Sequence, residues 1–279
     1  MLPSRHETFS RLETDMNVLK NTVFFFVVHG VFLFFPVYTA AGGAPFTRLV
    51  TAPTAGSLQR GHYALETRLF ENGGVVQVVD FGVHDLIDIG VSYGGSSIIG
   101  SSPVVWQPHV GFRVRVRIVE ETMTAPALSV GFDSQGEGTY ISEGGRNRFK
   151  VKSRGGYLVV SRNYKLLGDL GLHAGVNYSL ETDDGDEDPS FWAGFNKSIF
   201  SAIELCAEYD FAVNDNESRS MNADTGYLNC ALRWSFGGSF TIEFNLDNIL
   251  RNSTLDAYGT RIDEPEPTRG FRFLYRGSI

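Results

Sequence analysis

The stretch Ser201-Ala202-Ile203-Glu204-Leu205-Cys206-Ala207-Glu208-Tyr209-Asp210-Phe211-Ala212-Val213 decides the fold. Ile203, Leu205, Ala207, Tyr209, Phe211 and Val213 share one parity, and Glu204, Cys206, Glu208 and Asp210 share the other. A period of two sustained this long is a β-strand with one apolar and one wet face. The pattern recurs along the chain. Arg113, Arg115 and Arg117 alternate with Phe112, Val114, Val116 and Ile118. Thr241, Glu243, Asn245 and Asp247 alternate with Phe240, Ile242, Phe244 and Leu246. Three arginines at spacing two need water or carboxylates, so a second sheet or lipid must cover the aliphatic face.

Working outward, the alternation predicts strands over 61–70, 75–82, 85–94, 106–119, 125–134, 155–164, 168–180, 190–198, 201–213, 226–236, 239–250 and 270–279. Connections after even-numbered strands are short, and those after odd-numbered strands are mostly long. Glu71-Asn72-Gly73-Gly74, with its Asn-Gly turn signal, is the exception. All tight turns therefore fall at one end. Outer-membrane barrels are built this way, with an even strand count and an apolar exterior. A tilted membrane strand also needs about 9–11 residues, more than the usual strand of about 5–6. The expected fold is all-β: a single antiparallel transmembrane barrel of about twelve strands, in the outer membrane of a Gram-negative-type bacterium. Tyr63, Tyr93, Trp106, Tyr157, Tyr209, Phe211, Tyr227, Trp234, Phe236 and Phe240 fall near strand ends and are expected to form its girdles. A soluble β-sandwich or lipocalin-like barrel is the competing architecture.

Residues 23–38 form an apolar run shorter than the roughly 20 residues of a membrane-spanning helix. Lys20 precedes it and Thr39-Ala40-Ala41-Gly42 follows, the order of a secretory signal peptide. Cleavage is expected after Ala41, with Gly43 as the alternative and a retained anchor as the competing reading. The mixed charges of residues 1–15 are poor leader chemistry, which makes Met16 a candidate start. The domain division is thus 1–41 as extension and signal peptide, then 42–279 as barrel. The formal net charge of −8 argues against nucleic acid, whose backbone rewards a basic surface. Cys206 shares the parity of Glu204 and Glu208, whereas Cys230 shares that of Leu228, Leu232 and Trp234. On neighbouring strands the thiols project from opposite faces, so both are expected to be free.

Phe46-Thr47-Arg48-Leu49-Val50-Thr51-Ala52-Pro53-Thr54-Ala55-Gly56-Ser57-Leu58-Gln59-Arg60-Gly61 resembles the opening of the YjbH-like outer-membrane barrels. In that family a Pro-Thr-Ala, a following Leu and a Gly precede the first strand. The likeness continues through Asn72-Gly73-Gly74, Ile89–Gly95, Gly131–Gly136 and Gly171–Tyr178. The resemblance implies an outer-membrane barrel, some of whose relatives are tied to exopolysaccharide production or export.

The best functional candidates are the charges expected to face the lumen: Arg113, Arg115 and Arg117 on one wall, with Glu204, Glu208, Asp210, Glu243 and Asp247 roughly opposite. Two readings stay open. The charges set a transverse field across an aqueous pore that selects small solutes, or they pair across a plugged barrel. The acidic run Asp183, Asp184, Asp186, Glu187 and Asp188 lies in an outward loop and is a candidate for divalent cations, although a solvated loop explains it as well. No G-x-S-x-G, H-E-x-x-H or phosphate-binding glycine loop occurs, so neither catalysis nor a cofactor is expected. The expected function is a structural barrel or narrow passive channel. The alternative is an accessory factor for exopolysaccharide export or surface organisation, acting through the external loops. Expected partners are outer-membrane lipid and lipopolysaccharide, the outer-membrane assembly machinery, and small solutes or exopolysaccharide.

Overall fold

Alternating side chains become two faces of a closed wall. The computed structural model describes residues 46–216, 226–252 and 266–279. The expected signal peptide, its cleavage point and the start at Met16 lie outside the described residues. In chain order the strands are β1 (His62–Phe70), β2 (Gly74–His84), β3 (Ile87–Ser96), the short β4 (Val105–Trp106), β5 (Gly111–Val119), β6 (Ala127–Asp133), β7 (Glu137–Ile141), β8 (Arg148–Val151), β9 (Gly155–Lys165), β10 (Asp169–Tyr178), β11 (Ser190–Phe200), β12 (Ile203–Asp210), β13 (Tyr227–Phe236), β14 (Phe240–Asp247) and β15 (Thr268–Ser278). Without β4, β7 and β8, twelve strands pair antiparallel with their neighbours, and β1 closes the ring on β15 with Leu65 opposite Tyr275. The expected strands match these closely.

Parity decides what faces in. On β5, Phe112 and Val114 are exposed whereas Arg113 and Arg115 are buried. On β12, Leu205 is exposed whereas Cys206 and Glu208 are buried. Val91, Val130, Leu158 and Leu232 extend the apolar exterior around the ring. A closed antiparallel sheet with a greasy outside and a charged inside is the architecture of an outer-membrane barrel. Among the described residues no helix is long and apolar enough to cross a membrane.

Tight turns join β2 to β3, β9 to β10, β11 to β12 and β13 to β14, all at the end where β1 starts and β15 finishes. The Asn72-Gly73 turn lies at the opposite end, and both residues take positive φ (57° and 61°), as a two-residue hairpin turn demands. The expected girdle holds in part. Tyr93 stacks on Trp106 with centroids 5.8 Å apart, and Trp234, Phe236 and Phe240 form a chain at the tight-turn end. Tyr157 and Tyr227 are corrections: both are buried and face the lumen, because they fall on the inward parity. Both cysteines are free. Cys206 pairs in register with Ala231 and Cys230 with Ala207, which puts the thiols on opposite faces.

The long connection after β6 carries the β7–β8 hairpin. Arg148 on β8 is fully buried, and its guanidinium meets Asp184 Oδ2 and Asp215 Oδ1, each at 2.5 Å. Three long loops are thereby tied together. Glu181, beneath the same hairpin, has its carboxyl pushed up by burial, against the N–H groups of Ser153 and Phe149 that hydrogen-bond it.

Candidate functional site

The segment ahead of β1 enters the lumen and turns back on itself. Leu49 N–H donates to Ala52 O at 2.9 Å, Thr54 N–H to Thr47 O at 3.1 Å, and Arg48 bridges Pro53. Gln59 and Gly61 return it to the tight-turn end, beside Gly82. Its apex, Leu49–Ala52, is buried inside the ring. Non-helical backbone at membrane depth survives only when protein satisfies its polar groups, and here that satisfaction is complete at the apex.

Arginines take the carbonyls. Arg115 donates to Gly56 O (2.6 Å) and Thr47 O (3.2 Å). Arg233 donates to Leu49 O (2.6 Å) and Arg48 O (3.2 Å), and Arg272 donates to Val50 O. One carboxylate takes the amides. Glu208 accepts the N–H groups of Val50 (3.0 Å), Thr51 (2.9 Å) and Ala52 (2.9 Å), together with the Thr51 hydroxyl (2.5 Å). Three successive amides converging on one anion form a nest. The hairpin's own Arg48 reaches Asp133 Oδ2 (2.6 Å) and Glu137 Oε1 (2.9 Å). Apolar contacts complete the seal. Ala52 and Ala55 pack with Tyr157, Val159 and Trp192, while Val50 packs with Cys206 and Ala231. Phe46 lies 3.9 Å from Arg233 Cζ and 4.1 Å from Arg276 Cζ, measured to its ring centre.

Seven of the eight charges expected in the lumen stand on its inner wall. Arg113 meets Asp80 and Asp133 on nearby strands, each at 2.9 Å, and Arg115 lies 3.5 Å from Asp88. Glu204 and Glu243 share Arg233, at 2.7 and 2.6 Å, and Asp210 meets Arg154 at 2.5 Å. Asp247 ends β14 beside the hairpin apex. Arg117 is the exception. It keeps register opposite the buried Ser129, but it stands near the tight-turn end, where its side chain donates to Asp85 O at 2.9 Å. The transverse field is corrected as well. Arginines and carboxylates do not face each other across water, because the hairpin lies between them and both walls bind its backbone.

The acidic loop is also not as expected. Asp184 turns inward to Arg148 and Lys152, and Asp186 Oδ2 accepts the Asn216 N–H. Asp183 accepts from Asn147, and Asp186 Oδ1 accepts the Asp188 N–H. Protein donors thus occupy both carboxylate oxygens of Asp184 and of Asp186 and one of Asp183. Among the described residues no group of three or more His, Cys, Asp or Glu side chains, Glu187 included, could hold a metal.

Sequence reasoning missed Arg48, Glu66, Arg233 and Arg272, although the last three lie on the wet parity of their strands and were legible there. It also missed a chain of hydrogen bonds that begins at the plug. Ala55 N–H donates to Ser161 Oγ (2.8 Å), which lies 2.7 Å from His173 Nδ1, and His173 Nε2 lies 2.7 Å from Asn196 Oδ1. Ser161 and His173 are both buried, and the hydroxyl is engaged by the plug, so the trio serves as another hold on the hairpin.

No family model matches the chain, and no curated protein matches it. Solved structures similar to it include the KdgM porin (10% identity over 78% of this chain and 99% of that one, TM-score 0.48). The NanC porin is similar at 10% identity over 78% and 99%, with a TM-score of 0.44. An outer-membrane channel from Pseudomonas putida F1 is similar at 11% identity over 86% and 100%, with a TM-score of 0.39.

Proposed function

We propose that this chain is an outer-membrane barrel held shut by its own N-terminal hairpin. It acts as a structural barrel while the hairpin is seated and as a narrow passive channel for small solutes when the hairpin withdraws. The supporting observation is the grip itself: Arg115, Arg233, Arg272 and Glu208, the groups best placed to handle a permeating solute, all bind the residue 47–56 backbone. Both arms of the hairpin run to the tight-turn end, so withdrawal toward that side breaks no strand pairing. Planar-bilayer recording tests this. The full chain should stay closed with brief openings, and a variant lacking residues 46–58, checked for folding by heat-modifiable gel migration, should conduct steadily. Steady porin-like current from the full chain overturns the hairpin as a closure, and silence from the folded deletion overturns the channel.

The second reading is an accessory role in exopolysaccharide export or surface organisation. It is favoured by the YjbH-like resemblance, whose longest motif, Phe46–Gly61, is the plug, and by an outward surface ordered through Arg148. Its partners would be lipopolysaccharide and a polysaccharide at the loops, with insertion by the outer-membrane assembly machinery. An export phenotype that follows loop deletions while conductance stays unchanged would favour it.

A further inference from the structure

Beyond the hairpin apex, on the long-loop side, lies a cavity of about 80 Å³ with Thr51 in its floor and Asn245 and Asp247 in its wall. Its chemistry is one-sided at β14. Asn245 is 8% exposed and its Oδ1 accepts no hydrogen bond, and Asp247 Oδ1 likewise has no partner, among the described residues. A buried acceptor left without a donor is destabilising, because it has given up its bond to water. The two residues sit at i and i+2 on one strand and therefore point the same way. Gly270, opposite Asn245 in the β14–β15 register, contributes no side chain to fill the space, and a Cβ there would stand 3.8 Å from Asp247 Oδ2.

Charge settles the polarity of what fits. The other inward carboxylates are neutralised: Glu208 by backbone and Asn229 donors, Asp210 by Arg154, Glu243 by Arg233 and Arg272, and Glu137 by Arg48 and Arg68. Of the lining cations, Arg68 lies on Glu66 and Glu137, with its Nη2 left without an acceptor, Lys150 on Glu71 and Arg272 on Glu243, while Arg269 is exposed on the outward parity of β15. Asp247 has no ion pair among the described residues. We propose that this cavity binds the ammonium group of a small primary amine, which donates to Asn245 Oδ1 and Asp247 Oδ1 and lays its short aliphatic stem against Phe70 and Val76. An ammonium carries three donors and one positive charge, which answers two orphaned acceptors and one unpaired carboxylate. A calcium ion would want six to eight oxygens, and no such group is present among the described residues.

The test is calorimetric titration of the full chain, refolded in detergent micelles, with 1,4-diaminobutane and methylammonium as probes. It needs no conduction, so its outcome is separate from that of the channel reading. Saturable binding is expected, weaker by about tenfold or more in Asp247→Asn, where a charge-assisted bond becomes a neutral one, and weakened also in Asn245→Ala. Heat-modifiable migration confirms that both variants fold. No saturable heat with wild-type protein, equal binding of tetramethylammonium or sodium, or unchanged binding in a folded Asp247→Asn would each overturn the assignment.

Discussion

Replacing Glu208 by Gln isolates the strongest hold on the plug. The carboxylate accepts four hydrogen bonds from residues 50–52, two to Oε1 and two to Oε2. Gln keeps the shape but turns one acceptor oxygen into an NH2 group facing donors. At least two bonds to a charged group are lost, each worth roughly 1.5–3 kcal/mol net, so the hairpin should loosen by about 3 kcal/mol. At about 1.4 kcal/mol per decade that is roughly a hundredfold in the seated-to-released ratio. Amide hydrogen exchange in micelles reads this directly. The Val50, Thr51 and Ala52 amides should exchange about a hundredfold faster, whereas the Val159 and Ala174 amides in the wall keep wild-type rates. Wild-type exchange at residues 50–52 would refute the nest as a latch. Equal acceleration everywhere would mean that Glu208 holds the barrel and not the plug.

Leu158→Arg places a charge on the outward parity of β9, where the side chain is 42% exposed to what should be lipid. In bilayers it should cost roughly 2–4 kcal/mol if Leu158 lies near the midplane, seen as a lower urea midpoint, and an unchanged midpoint would count against a lipid-facing wall. Arg148→Met leaves Asp184 and Asp215 buried without their shared cation, a loss of about 3–5 kcal/mol for broken buried pairs. Limited proteolysis should then cut the 181–189 loop readily while the strands stay intact.

The wall was legible because a period of two needs nothing beyond neighbouring residues, and the tight turns followed from where each run stopped. Residue type is a poorer guide than parity: Tyr157 and Tyr227 have the composition of girdle aromatics, but their parity with Val159 and Asn229 turns them inward. Arg117 shows the limit of parity alone: it keeps register opposite Ser129, but near the strand's end its long side chain reaches the Asp85 carbonyl in the β2–β3 turn. The plug was illegible in principle. Val50, Ala52, Ala55 and Leu58 follow neither period, and their partners lie up to 222 positions away, so no local pattern marks them.

The wall charges and the plug explain each other. Arginines and carboxylates sunk in a narrow barrel are costly unless each is hydrated or paired, and a strand of backbone in the same space is costly unless each amide and carbonyl is bonded. The structure meets both demands with one arrangement. Carbonyls of residues 47–50 and 56 go to Arg115, Arg233 and Arg272, and amides of residues 50–52 go to Glu208. Glu243 then compensates two of those arginines, lying 2.6 Å from Arg233 and 2.7 Å from Arg272. Removing the hairpin therefore leaves each of these groups to be bonded by water instead. A barrel whose wall charges were all satisfied by one another would gain nothing from an inserted segment, and a wide hydrated pore would have no use for one.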